Sequence, residues 1–296
     1  MKFAIIDLGS NSARMNIVQI KDGKAEILET HRKIVRLSEG MGEEKLLREV
    51  AVNRTLAVMA EFKKIIDEHD ITKVRPIATA ALRTAKNREL FLKPASEIGF
   101  DFEIISGEKE AYYDYMAVVN SLDVTDGLAI DIGGASTELI LIKGGQLVDA
   151  VSIPMAAVNI TEKYFSGTVA TDEELKNAID AFAKELNKTK WLENARNISI
   201  VGLGGTIRAL ANIHCKVDEL HSYIMSRNFV LENAVKLTKM PLEQRLLIDG
   251  LEKGRADIIL GGVVPLIAVM QKLDSPDLVT CVTGLREGVM YDIIKG

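Results

Sequence analysis

At 296 residues the chain is longer than one ordinary hydrophobic core, and two domains of about 150 residues each are expected. Hydrophobic residues make up 47% of it and charges are interspersed, so it reads as a soluble globular protein. A net charge of −5 without any Lys/Arg run excludes a nucleic-acid arm, and no apolar stretch reaches the ~18 residues of a membrane span.

In chain order, Phe3–Ile6 and Met15–Ile20 read as strands, and Ala25–Leu37 continues as a third extended segment. Asp7 and Arg14 interrupt the first apolar segment, so no secretory leader is expected and the protein reads as cytoplasmic. Leu46 to Asp67 carries apolar residues at helical spacing, among them Leu47, Val50, Val58, Phe62 and Ile65. Lys73–Ala78 is a short strand, and Thr79 is placed to cap a helix through Ala80-Ala81-Leu82-Arg83. Phe100–Ile105 is a strand, and Ser106-Gly107 opens a helix with Tyr112, Tyr115, Met116 and Val119 on its apolar side.

The second half repeats this order. Strands are expected at Leu128–Asp131, Thr137–Ile142 and Leu147–Ile153, helices across Ala156 to Leu186, and a strand at Ile198–Val201. Gly204-Gly205-Thr206 opens the next helix, a helical insertion spans Leu231 to Met270, and a strand at Leu278–Val282 precedes a helix from Gly284. Two βββαβαβα halves predict related domains over residues 1–122 and 123–296, with the last helix free to pack back on the first. Cys215 and Cys281 stand alone and read as buried free thiols; the four histidines do not cluster, so no zinc site is expected.

The repeat is sharpest in two loops. Asp7-Leu8-Gly9-Ser10-Asn11-Ser12 and Asp131-Ile132-Gly133-Gly134-Ala135-Ser136 each follow an apolar run and precede a second strand. Each second strand closes at a turn, Lys21-Asp22-Gly23 and Lys143-Gly144-Gly145. Small residues let backbone N–H groups converge on an anion, and an Asp beside each loop suits the hydrated divalent cation such an anion brings. Either loop alone would pass for a tight turn. Gly202-Leu203-Gly204-Gly205-Thr206 is a third Gly-rich turn, at a helix N-terminus that attracts anions or simply packs closely. Arg83 sits at the carboxyl end of a strand, where ligands gather in α/β folds, although a surface Arg reads the same way. Glu110 and Glu108 both lie in a first helical turn, where either could serve the helix dipole. Asp131 and Glu138 flank the second loop, so a hairpin could turn both carboxylates toward one cation; an outward-facing Glu138 is the plain alternative.

Taken together, these stretches resemble the exopolyphosphatase/guanosine pentaphosphate phosphohydrolase (Ppx/GppA) family in its short two-domain form. Asp7 to Arg14, Ala78 to Ala85, Ile105 to Ala111, Asp131 to Glu138, Gly202 to Arg208, Arg255 to Ile258 and Gly284 to Gly288 carry the likeness, in family order along the whole chain. The resemblance implies an α/β fold of two ribonuclease H-like domains, of the actin/hexokinase/Hsp70 superfold, facing a cleft. It implies Mg²⁺-dependent hydrolysis of a terminal phosphoanhydride, with Mn²⁺ as a substitute. The catalytic glutamate then falls on Glu110, and the metal carboxylates on Asp131 and Glu138, joined by Asp7. The phosphate contacts fall on Arg83, on Gly9, Ser10, Asn11 and Ser12, and on Gly133, Gly134, Ala135 and Ser136, with Gly204, Gly205 and Thr206 beside them.

Two residues depart from the family pattern. Lys109 stands where Glu is common, and Ala135 where a third Gly is common; Ala135 fits unless that position needs positive φ. The extra C-terminal helical domains of longer members are not expected here, and short or intermediate polymers are the expected substrates. Inorganic polyphosphate is expected first and guanosine pentaphosphate second, because few aromatics lie near the loops in sequence. Homodimers are common in the family. A kinase or ATPase of the same superfold and a non-catalytic polyphosphate or alarmone sensor are the rival readings.

Overall fold

The computed structural model describes residues 1–215 and 219–295. Strands β1 (Lys2–Leu8), β2 (Ser12–Lys21) and β3 (Lys24–Ile34) form an antiparallel meander. Strands β4 (Val74–Ala78) and β5 (Glu103–Ile104) extend it in parallel on the other side of β1, giving the order β3-β2-β1-β4-β5. Helices α1 (Glu49–Glu68), α2 (Ala80–Thr84) and α3 (Glu89–Ile98) make the crossovers. The second sheet repeats the plan with β6 (Gly127–Ile132), β7 (Thr137–Lys143) and β8 (Gln146–Ile153) as the meander. Strands β9 (Ile200–Leu203) and β11 (Asp277–Thr280) run parallel to β6, and β10 (Ile224–Ser226) adds an antiparallel edge. The order is β8-β7-β6-β9-β11-β10. The expected α/β class with two facing ribonuclease H-like units is therefore what the chain builds.

The duplication reaches the turns. Asp22 and Gly23 close the first hairpin, and Gly144 and Gly145 the second, all four with positive φ as a two-residue hairpin turn requires. Helices α5 (Ala157–Tyr164), α6 (Asp172–Lys188), α7 (Gly204–Asn212), α8 (Arg227–Lys239), α9 (Leu242–Arg245) and α10 (Ile259–Leu273) cover the second sheet. The apolar run around Ile258–Met270 is α10, buried at the centre of this half's core. Among the described residues no helix is long and apolar enough to cross a membrane. Cys281 is buried, whereas Cys215 is only half-buried.

The sequence reading leaves α3 and β10 unassigned. Pro94 inside α3 interrupts a pattern that Phe91 and Ala95 otherwise bury, and β10 spans three residues, too few for an alternation to register. The continuous helical insertion is also broken: the chain between α9 and α10 is irregular. Thr79 occupies the N-cap of α2 but makes no side-chain cap hydrogen bond.

Two helices cross between the halves. Helix α4 (Gly107–Ser121) follows β5, yet Ala111 and Val118 pack with Ala129, Ile140 and Val201 of the second sheet. Helix α11 (Leu285–Lys295) ends the chain, yet Leu285, Val289 and Met290 pack with Phe3, Ile5 and Val18 of the first. The two helices touch at Gly288, where an added Cβ would collide with the Tyr113 carbonyl of α4. Gly288→Ala must therefore push the helices apart. Overpacking of this kind costs about 1–3 kcal/mol, or roughly 2–4 °C of melting temperature per kcal/mol for a domain of this size. Calorimetry should show that drop; an unchanged transition would mean that the helices do not meet there.

Candidate active site

Both Asp-Gly loops lie at the carboxyl ends of equivalent strands, β1 and β6, and face each other across a cleft. The same hydrogen bond closes each: Gly9 N–H to Ser12 O at 3.0 Å, and Gly133 N–H to Ser136 O at 3.1 Å. The loops nearly touch. A Cβ on Gly134 would lie 2.7 Å from Ser10 Cβ and 3.2 Å from the Asn11 nitrogen, so only glycine admits this approach. Ala135 is not among the positive-φ residues, which explains why alanine suffices there.

The hairpin register sets what stands beside each loop. Asp7 pairs across with Arg14, and Asp131 with Glu138, so each pair shares a sheet face. Asp7 and Asp131 line the cleft, as do Gly9 to Ser12, Gly133 to Ser136, Gly204 and Gly205. Burial raises both aspartates above the ordinary carboxylate range, with Arg14 opposing the shift at each. Asp131 Oδ1 is buried without a hydrogen-bond partner among the described residues. Glu138, Arg83 and Thr206 are off the cleft wall. Glu138 lies behind it, accepting a 2.6 Å hydrogen bond from Ser152 Oγ, and Thr206 is buried in the second core.

Glu110 stands at the first turn of α4, whose N-cap Ser106 Oγ accepts from Lys109 N–H. It lines the cleft at 9% exposure. Arg83, at the end of α2, donates to Glu110 Oε2 at 2.9 Å and to the Ile105 carbonyl at 3.0 Å. Arg83 thus reaches the cleft through Glu110 rather than by lining it. Burial pushes the Glu110 carboxyl up to about 7, with Arg83 pulling it down and Asp131 and Asp7 pushing it further up. Glu108 is exposed, and backbone and Ser106 hydrogen bonds at the helix start hold its carboxyl low. The two glutamates that the sequence left open are thereby separated: Glu108 serves the helix end and Glu110 faces the cleft.

Four arginines complete the wall: Arg14, Arg208, Arg255 and Arg286. Each stands in a stretch that carried the family likeness, but no local spacing joins positions this far apart. Burial and then neighbouring guanidinium groups lower Arg208 to about 10 and Arg255 to about 9. The Nε atoms of Arg14 and Arg255 are buried without partners among the described residues. An acidic protein has here concentrated positive charge beside its cleft carboxylates, which suits a bound anion. The N-termini of α7 at Gly204 and of α11 at Gly284-Leu285 open onto the same space and add partial positive charge.

One acid was not singled out in the sequence. Asp114, one turn beyond Glu110, is fully buried, and neither of its oxygens has a partner among the described residues. Burial and then Asp131, Glu138, Glu110 and Asp7 hold it well above its ordinary 3.8. A raised native value means that the folded chain keeps a proton which the unfolded chain loses above pH 3.8. Stability attached to Asp114 is therefore present in acid and lost as pH rises toward the native value. Asp114→Asn removes this loss, and its advantage over the wild type should grow as pH rises above 3.8. Melting curves from pH 4 to 8 check this; a constant difference would show Asp114 to be ionised in the fold.

Among the described residues no group of three or more His, Cys, Asp or Glu is arranged to hold a metal ion by itself. Asp7 and Asp131, with the orphaned Asp131 oxygen, fit instead a hard cation that keeps waters and substrate phosphates as its remaining ligands.

The family model described as the Ppx/GppA phosphatase family matches residues 16–296. A Photobacterium profundum protein named guanosine-5'-triphosphate,3'-diphosphate pyrophosphatase is 31% identical over 306 residues, spanning 99% of this chain and 59% of its own length. A Vibrio atlanticus protein of the same name is 32% identical over 299 residues, with the same coverage. The chain therefore spans about three-fifths of these relatives. A crystal structure of the Ppx/GppA family member of Aquifex aeolicus superposes with a TM-score of 0.81 at 33% identity, covering 100% of this chain and 98% of that one. An exopolyphosphatase from Cytophaga hutchinsonii superposes with a TM-score of 0.92 at 25% identity, again over 100% and 98%. From the facing loops to the matched length, the chain belongs to the Ppx/GppA phosphatase family.

Proposed function

We propose that the chain is a phosphoanhydride hydrolase that releases terminal orthophosphate from a polyphosphate chain, assisted by Mg²⁺ or Mn²⁺. The observation that carries this reading is Glu110, a buried carboxylate at about 7 set between two facing phosphate-type loops. Backbone N–H groups within Ser10 to Ser12 and Gly134 to Ser136 hold the terminal phosphate, and the cleft arginines hold the phosphates behind it. Glu110 accepts the proton of the attacking water, and Arg83 fixes the orientation of its carboxylate. Asp7 and Asp131 would hold the cation, which when bound neutralises charge on the phosphoryl oxygens.

The same chemistry serves inorganic polyphosphate and guanosine pentaphosphate. The cleft is lined by loop backbone and arginines, groups suited to phosphate alone, which supports the former; the names of the bacterial relatives favour the latter. Phosphate release should be assayed on tripolyphosphate, longer polyphosphate and guanosine pentaphosphate with added Mg²⁺. Release from at least one is expected. Release from none would leave a binding protein, and transfer from ATP to an alcohol or acid would make it a kinase.

A further inference from the structure

Arg14, Asn16 and Val18 share one face of β2, because alternate strand residues point the same way. Val18 packs on α11 and Arg14 lines the cleft, so Asn16 stands between the helix and the site. Asn16 is only 1% exposed. Its Oδ1 accepts from Arg286 Nη1 at 2.8 Å and from Thr30 Oγ1 at 3.1 Å, and its Nδ2 donates to Glu287 Oε1 at 2.7 Å. Arginine only donates and a carboxylate only accepts, so these partners fix which end of the amide faces which. The other Glu287 oxygen accepts from Gly284 N–H at 2.9 Å, at the start of α11. The carboxylate is thus occupied, and Arg286 Nη2 stays 3.9 Å from its Oε1.

We propose that Asn16 is a positioning residue for phosphate binding, which keeps Arg286 and Glu287 from closing into a direct ion pair and aims the Arg286 guanidinium at a phosphate of the bound chain. The inference rests on the hydrolase reading above and adds to it a residue outside both loops. A leucine at this position would fill the space without the cost of burying an amide, so what asparagine supplies is its hydrogen bonds. Without them Arg286 is drawn to Glu287, because Glu287 attracts its charge while Arg14 and Arg32 repel it. An arginine closed on that carboxylate has fewer N–H groups and less net charge to offer a phosphate.

The test is a double-mutant cycle on KM and kcat for tripolyphosphate, or for guanosine pentaphosphate if only that is cleaved. It uses the wild type, Asn16→Leu, Arg286→Gln and the double variant. Asn16→Leu should raise KM about tenfold, the scale of one charge-assisted hydrogen bond, and leave kcat within about twofold. A smaller fraction of folded protein lowers the apparent kcat but not KM, so a merely structural role does not give this split. Arg286→Gln should raise KM at least as much, and the double variant no further, because Asn16 acts only through Arg286. An unchanged KM in Asn16→Leu overturns the proposal, and so do two increases that multiply in the double variant. If the wild type hydrolyses neither compound, the hydrolase reading falls, and calorimetric titration of the four proteins with tripolyphosphate reads Kd in place of KM. The same pattern in Kd then supports the role of Asn16; multiplying increases, an unchanged Kd or no binding by the wild type overturns it.

Discussion

Glu110→Gln is expected to lower turnover by about 10²–10⁴-fold, the contribution of a positioned general base, while substrate still binds. The amide keeps the shape of the side chain and one oxygen for Arg83, but it accepts no proton. The pH profile provides a second check. Glu110 acts as a base only when ionised, and its carboxyl titrates at about 7, so the rate should rise through neutral pH and level off above it. Arg83 is the main group pulling that value down; Arg83→Gln should move the acid limb toward higher pH by about one unit or more. Steady-state rates of the three proteins across pH 5–9 read both effects. A near-normal rate for Glu110→Gln beside a crippled Glu108→Gln would mean the wrong glutamate was chosen.

Asp131→Asn is expected to cost about 10²–10³-fold, the scale of removing one group that stabilises transition-state charge. The loss should be partly recovered by raising Mg²⁺, because the side chain is proposed to act through the cation. Asp7→Asn should behave alike, since both carboxylates line the cleft. Glu138→Gln should shift the Mg²⁺ requirement much less, because Glu138 lies behind the wall and is held by Ser152. Titrating the rate with Mg²⁺, and with excess chelator as the zero point, separates these cases. Full turnover in chelator would remove the cation from the reaction altogether. An equal shift for Glu138→Gln would put that residue back among the ligands.

The sequence by itself determined the repeated half, both loops, their hairpin turns and Glu110 as one of two candidate acids. These are local matters: a period of two along a strand, small residues where the backbone turns, and an acid in a first helical turn. It also carried Arg14, Arg208, Arg255 and Arg286 inside matched stretches without showing that they meet. Only the tertiary structure decided that. The crossing of α4 and α11 packs each half's helix on the other's sheet and brings the N-termini of both to one cleft. The same long-range packing turned Glu110 inward and Glu108 outward, left Glu138 behind the wall, and buried Asp114 without a hydrogen-bond partner among the described residues. It also set Asn16 against Arg286 and Glu287, which follow it by 270 and 271 residues. Spacing along a chain fixes which neighbours share a face. Burial, charge and the partners of a buried polar group depend on what the fold brings from elsewhere.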